Sequence, residues 1–154
     1  MKVLKQDILT VSSGVIVHPV SNTGGFEKGL SQAIARVFPK IIDPYELCCR
    51  SAKSPLDLLG RVLVVKVSDT LQVANLFCIH DSKSKKHFEY MAFLSCLDKL
   101  KDIGEKTGGI HGPLLFPYKM GTGLLGGDWK EVERLIQSTL GDAAAAVCIL
   151  ETKK

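Results

Sequence analysis

The chain has 154 residues, of which 45% are apolar and 23% charged, and its formal charge is +4. These values suit one globular domain over residues 1–154 with a core of its own, and they exclude collagen, coiled coil and wholesale disorder. Five cysteines without a C-x-x-C exclude a disulfide framework or zinc knuckle, and 6% aromatic residues offer little for stacking single-stranded nucleic acid.

In chain order, Val15-Ile16-Val17 predicts a short strand ending at His18. Gly29 to Phe38 has helical spacing through Leu30, Ile34, Ala35, Val37 and Phe38, and Pro39 stops it. A second helix is expected over about 44–52. Residues 62–67 are almost continuously apolar and predict a strand covered on both faces. Residues 73–79 predict the next strand. Residues 87–103 predict the longest helix, with Phe88 and Met91 on its apolar face and Gly104 as its stop. Residues 113–116 predict a strand. Asp128 caps a helix running through Trp129, Val132, Leu135, Ile136 and Leu140, and residues 144–150 close as a strand.

Strands alternating with helices define an α/β layered domain. Cys78 and Cys148, inside apolar runs, read as buried small hydrophobes in a reduced protein. The lysine cluster Lys83, Lys85 and Lys86, and the tail Lys153-Lys154, read as solvated. No apolar run approaches the ~20 residues of a membrane span, and no secretory leader is evident, so an intracellular, cytoplasmic protein without membrane contact is expected. No metal-ligand spacing occurs.

The glycines concentrate in two places. Gly24, Gly25 and Gly29 lie between a strand and a helix, and Gly121, Gly123, Gly126 and Gly127 lie between another strand and helix. Backbone N–H groups in such loops can approach a phosphate closely, beside a helix N-terminus of partial positive charge. Neither loop is a P-loop or a Rossmann fingerprint. The carboxyl ends of strands in an open α/β sheet are where ligands bind, so two such loops on one edge could grip a diphosphate from both sides.

Val15-Ile16-Val17-His18-Pro19-Val20-Ser21-Asn22-Thr23-Gly24-Gly25, continuing through Gly29 to Phe38-Pro39, resembles the first ligand loop of the macro domain family. Phe116-Pro117-Tyr118-Lys119-Met120-Gly121-Thr122-Gly123-Leu124 and the capped helix at Trp129 resemble its second loop. Val73-Ala74-Asn75-Leu76-Phe77 and Phe88-Glu89-Tyr90-Met91 resemble the middle strand and following helix, and Gln6-Asp7-Ile8-Leu9 resembles the N-terminal motif. The likeness covers nearly the whole chain. It is strongest to the short branch containing yeast ADP-ribose 1″-phosphate phosphatase and the terminal ADP-ribose protein glycohydrolase, with bacterial and phage members.

The resemblance implies a three-layer α/β/α macro domain with a mixed central sheet of about six strands. It implies ADP-ribose or a derivative as ligand and no cofactor; a monomer is expected because no amphipathic surplus demands a dimer. Asp7 would accept the adenine amine, a role suited to an acceptor-only carboxylate, with the Ile8 N–H beside it. Ser21, Gly24, Gly25, Phe26, Gly29 and Leu30 would wrap the distal ribose and diphosphate, and Gly121, Thr122, Gly123 and Leu124 would donate from the other side. Ser21 stands where many members have asparagine, and Glu27-Lys28 replace small residues.

The leading expectation is recognition of ADP-ribose, to which the resemblance could add hydrolysis of ADP-ribose 1″-phosphate to ADP-ribose and phosphate. The alternatives are a non-catalytic binder of ADP-ribose or NAD-derived nucleotides, and a hydrolase removing ADP-ribose from macromolecules. The glycohydrolase lysine is missing from Cys78-Ile79-His80-Asp81, and Leu125 stands in place of its aspartate. His18 matches the phosphatase histidine, whose aspartate partner is replaced near Gly121. His18 and, at the rim, His80 are therefore the candidate catalysts.

Overall fold

The computed structural model describes residues 1–26, 28–82, 85–141 and 147–151. Expectations for Glu27, Lys83, the start of the last strand at Ala144 and the Lys153-Lys154 tail lie outside them. Seven strands form one mixed sheet: β1 (Lys2–Lys5), β2 (Gly14–Ser21), β3 (Val62–Lys66), β4 (Leu71–Ser82), β5 (Lys85–Phe88), β6 (Leu114–Pro117) and β7 (Val147–Glu151). The main order is β1-β7-β6-β2-β4-β3, with β5 paired to the end of β4. β1, β7, β6, β2 and β4 run parallel to one another, and β3 and β5 run antiparallel to β4. β5 raises the expected six strands to seven.

Among the described residues four α-helices cover the sheet: α1 (Leu30–Val37), α2 (Ile42–Ser51), α3 (Tyr90–Asp102) and α4 (Trp129–Leu140). The alternation along β2 explains the layers. Val15 and Val17 join Phe93, Leu97 and Leu100 of α3 and Val132 and Ile136 of α4 in one apolar cluster. Ile16, one residue out of phase, joins Ile34 and Ala35 of α1 in a second. Val20 meets Tyr45 of α2 in a third. β2 is buried along its whole length because parallel neighbours flank it and helices lie on both faces.

Three expectations are corrected. β3 is only partly buried, because it is the antiparallel edge strand rather than a fully covered one. The chain from Lys85 to Phe88 is a strand and not the start of a helix: Phe88 is buried opposite Ile79, while Met91 is 76% exposed. Glu89 is the boundary residue before α3. The helical path also outlasts Gly104, continuing as a π turn over Ile103–Thr107 and ending at Gly108, whose φ of 63° is left-handed. The Asp128 cap is present, its side chain accepting from the Lys130 N–H at 3.1 Å.

Candidate functional site

β2 and β6 are adjacent and parallel, but the chain leaves them toward opposite faces. β2 leads to α1 on one side of the sheet, and β6 leads to α4 on the other. This is a topological switch point, where the two exits part and a crevice opens at the carboxyl ends. Its walls are the loop before α1 and the loop 118–128.

A cleft of about 170 Å³ lies between them, lined by Pro19, Lys28, Leu30, Ser31 and Ile79 on one side and Tyr118, Lys119, Met120, Gly121 and Leu125 on the other. A second hollow of about 570 Å³ adjoins it. It shares Lys28 and Leu125 and adds Phe26, Gln32, Lys86, Thr122 and Leu124. Among the described residues, the lining holds three lysines and no carboxylate. Gly24, Gly25, Gly29, Gly121 and Gly123 all have positive φ. Gly29 occupies the N-cap of α1, and among the described residues no side chain caps that helix.

The first loop is held from below. Phe26 packs 4.6 Å from the Tyr45 ring, centroid to centroid, and lies parallel to His18 at 6.2 Å. The Tyr45 hydroxyl donates to Ser21 O at 2.8 Å, with Gly25 O 3.3 Å away, and burial pushes its pKa up. Ser21 is fully buried, and its Oγ accepts from the Thr23 N–H at 3.2 Å. Asn22, 1% exposed, joins three segments. Its Nδ2 donates to Pro55 O and to His80 Nδ1, each at 3.1 Å, and its Oδ1 accepts from the Asp81 N–H at 3.0 Å. Thr23 adds a 2.6 Å bond to Asp81 Oδ2.

His18 is completely buried. Its Nε2 lies 2.7 Å from Asn75 Oδ1 and its Nδ1 lies 3.0 Å from Ser31 Oγ. Burial lowers its pKa from 6.5 to about 4, against the opposing effect of the Asn75 bond. With both nitrogens occupied and no exposed face, the ring is placed as an internal acceptor and donor. A catalytic role for it would require the wall of the cleft to open. His80 is half-buried at the end of β4, edge-on to His87 at 5.4 Å, and His87 bonds to Glu89.

Asp7 is half-buried. One oxygen accepts from the Leu9 N–H at 3.0 Å, so it also caps the 3-10 turn Ile8–Thr10. Ile8 is buried in the cluster against which Phe26 and Leu30 pack, which joins the N-terminal motif to the first loop. Thr122 turns inward: its N–H and hydroxyl donate to Lys119 O at 3.3 and 2.6 Å. Leu124 is 95% exposed at the loop tip.

Of the expected ligand residues, Phe26, Leu30, Gly121, Thr122 and Leu124 line the two hollows, Ile8 packs in the cluster beside Phe26 and Leu30, and Gly24, Gly25, Gly29 and Gly123 lie in the flanking loops without lining either hollow. Sequence reasoning missed Ser31 and Asn75. Asn75 could have been found as an amide inside the otherwise apolar run Val73–Cys78. Ser31 could have been found as a hydroxyl in the first turn after Gly29.

Comparison with protein-family models gave no match, and comparison with curated proteins gave none either. Among solved structures, the chain is similar to a protein of unknown function from Bacteroides thetaiotaomicron. Identity is 28% and the TM-score 0.79, over 97% of this chain and 96% of that one. It is similar to a macrodomain protein from Streptomyces coelicolor, at 27% identity and TM-score 0.75 over 97% of each chain. It is also similar to DarTG of Thermosipho africanus in complex with ADP-ribose, at 17% identity and TM-score 0.78, over 97% of this chain and 40% of that one. The fold of this chain is the macrodomain fold, a mixed sheet between helices in a three-layer α/β/α arrangement.

Proposed function

We propose that the crevice binds ADP-ribose. One observation carries this reading: two glycine loops face each other across the switch point between β2 and β6, with lysines and no described carboxylate on the walls. A helix N-terminus with no capping side chain among the described residues, and cationic side chains, suit a diphosphate. In this reading the N–H groups of Gly29, Leu30, Gly123 and Leu124 take the diphosphate. The Asp7 oxygen not bonded to Leu9 takes the adenine amine, and the distal ribose enters the cleft toward Ile79. Among the described residues no helix is long and apolar enough to cross a membrane. A monomer acting inside the cell, of the short macro domain branch, completes the reading.

Recognition without turnover is the form the geometry supports best, because His18 is sealed from the cleft. A second reading is hydrolysis of ADP-ribose 1″-phosphate or of ADP-ribosyl conjugates. It draws on His80, which is held at the rim with Nδ1 accepting from Asn22. Calorimetric titration with ADP-ribose, AMP and ADP-ribose 1″-phosphate, with phosphate release followed in the last, tests both. ADP-ribose is expected to bind at least about tenfold more tightly than AMP, a gap of about 1.4 kcal/mol. Absence of heat with all three overturns ADP-ribose recognition, and released phosphate selects the enzyme.

A further inference from the structure

The hydrogen-bond chain beneath the cleft fixes where its protons lie. Asn75 Nδ2 donates to Leu63 O at 3.0 Å, which leaves Asn75 Oδ1 as an acceptor toward His18. The nitrogen 2.7 Å from it, Nε2, therefore carries the proton of the neutral ring, and Nδ1 presents a lone pair. Ser31 Oγ lies 3.0 Å from that Nδ1 and also 3.0 Å from Pro19 O. A serine hydroxyl has one proton and two lone pairs. Two internal acceptors compete for the proton, so whichever takes it, none remains for the cleft that Ser31 lines.

We infer that Ser31, itself only 6% exposed in the first turn of α1, meets a ligand purely as a hydrogen-bond acceptor and selects a sugar hydroxyl over a phosphate oxygen at that point of the cleft. A hydroxyl donor adds a bond there. An anionic oxygen would face lone pairs at close range. Ser31 is thus a specificity determinant that orients the ligand, sugar over the serine and phosphates over the loop N–H groups. The inference rests on ADP-ribose as the ligand and names the group that seats it.

The test compares ADP-ribose with ADP, which lacks the distal sugar, on the wild type and on Ser31→Ala. The variant is expected to bind ADP-ribose about 3- to 10-fold more weakly, the loss of one neutral hydrogen bond, and to bind ADP as the wild type does. Equal loss for both ligands, or loss for neither, overturns the role of Ser31. If the wild type binds no ADP-ribose, the ligand itself is wrong and the two failures are told apart. Should the variant fold poorly, the wild type's affinities for ADP-ribose and ADP give the second reading. ADP-ribose is expected to bind at least about 3- to 10-fold more tightly than ADP, and equal affinity for the two overturns the inference.

Discussion

His18 takes up a proton near pH 6.5 when the chain is unfolded and only near 4 when it is folded. Between those values the unfolded state binds more protons, so stability falls as the pH drops. The contribution is complete above pH 6.5 and is lost by about pH 4; its size is about 3 kcal/mol. Urea unfolding at pH 7, 5.5 and 4 should show that slope in the wild type and a shallower one in His18→Gln. Reading a histidine beside a glycine loop as a catalyst placed it at the end of a strand, whereas β2 runs on to Ser21 and buries it inside the strand, opposite Asn75. The sequence could not tell that Asn75, 57 residues away, would fill its second nitrogen. The position follows from local pattern, whereas proton placement depends on partners brought together by the sheet. The same division holds at Asn22. Its three partners come from a distant turn and the end of β4. Asn22→Ala should cost about 2–4 kcal/mol in chemical denaturation, since it strands several buried polar groups at once.

β5 shows what periodicity alone misses at the scale of an element. Phe88 and Met91 sit at helical spacing, yet Phe88 belongs to a strand, where pairing with Ile79 buries it, and Met91 is left in solvent. Short apolar runs beside a true helix are ambiguous because both periods fit three or four residues. α1 and α4 were legible because longer stripes, Pro39 and the Asp128 cap bound them independently. Phe88 also constrains the second loop. A Cβ on Gly121 would lie 2.6 Å from its ring, at a φ of 78°, whereas one on Gly123, at φ 67°, would meet nothing within 4 Å. Gly121→Ala should therefore cost about 2–4 kcal/mol, from overpacking plus backbone strain. Gly123→Ala should cost about 1 kcal/mol, from the backbone alone. Thermal unfolding of the two variants side by side separates packing against Phe88 from loop chemistry.

For the whole molecule, alternation of strand and helix announced a layered α/β domain, and the family resemblance announced its three layers. The sheet order was not legible, because nothing local says that β6 lies beside β2 rather than beside β4. That order places the loops opposite each other. A ligand that binds only the folded chain should raise its melting temperature by about 5–10 °C at a hundredfold excess over Kd, and differential scanning fluorimetry with ADP-ribose checks this. The loops are rooted in different apolar clusters, α1 in one and α4 in the other. Whatever spans the crevice acts as a strut between two halves of the core that otherwise meet only through the sheet. Amide hydrogens of α1 and α4 should then slow their exchange together, by the same factor, when the crevice is filled. A fragment reaching one loop alone should quieten one helix and leave its counterpart across the sheet breathing as before.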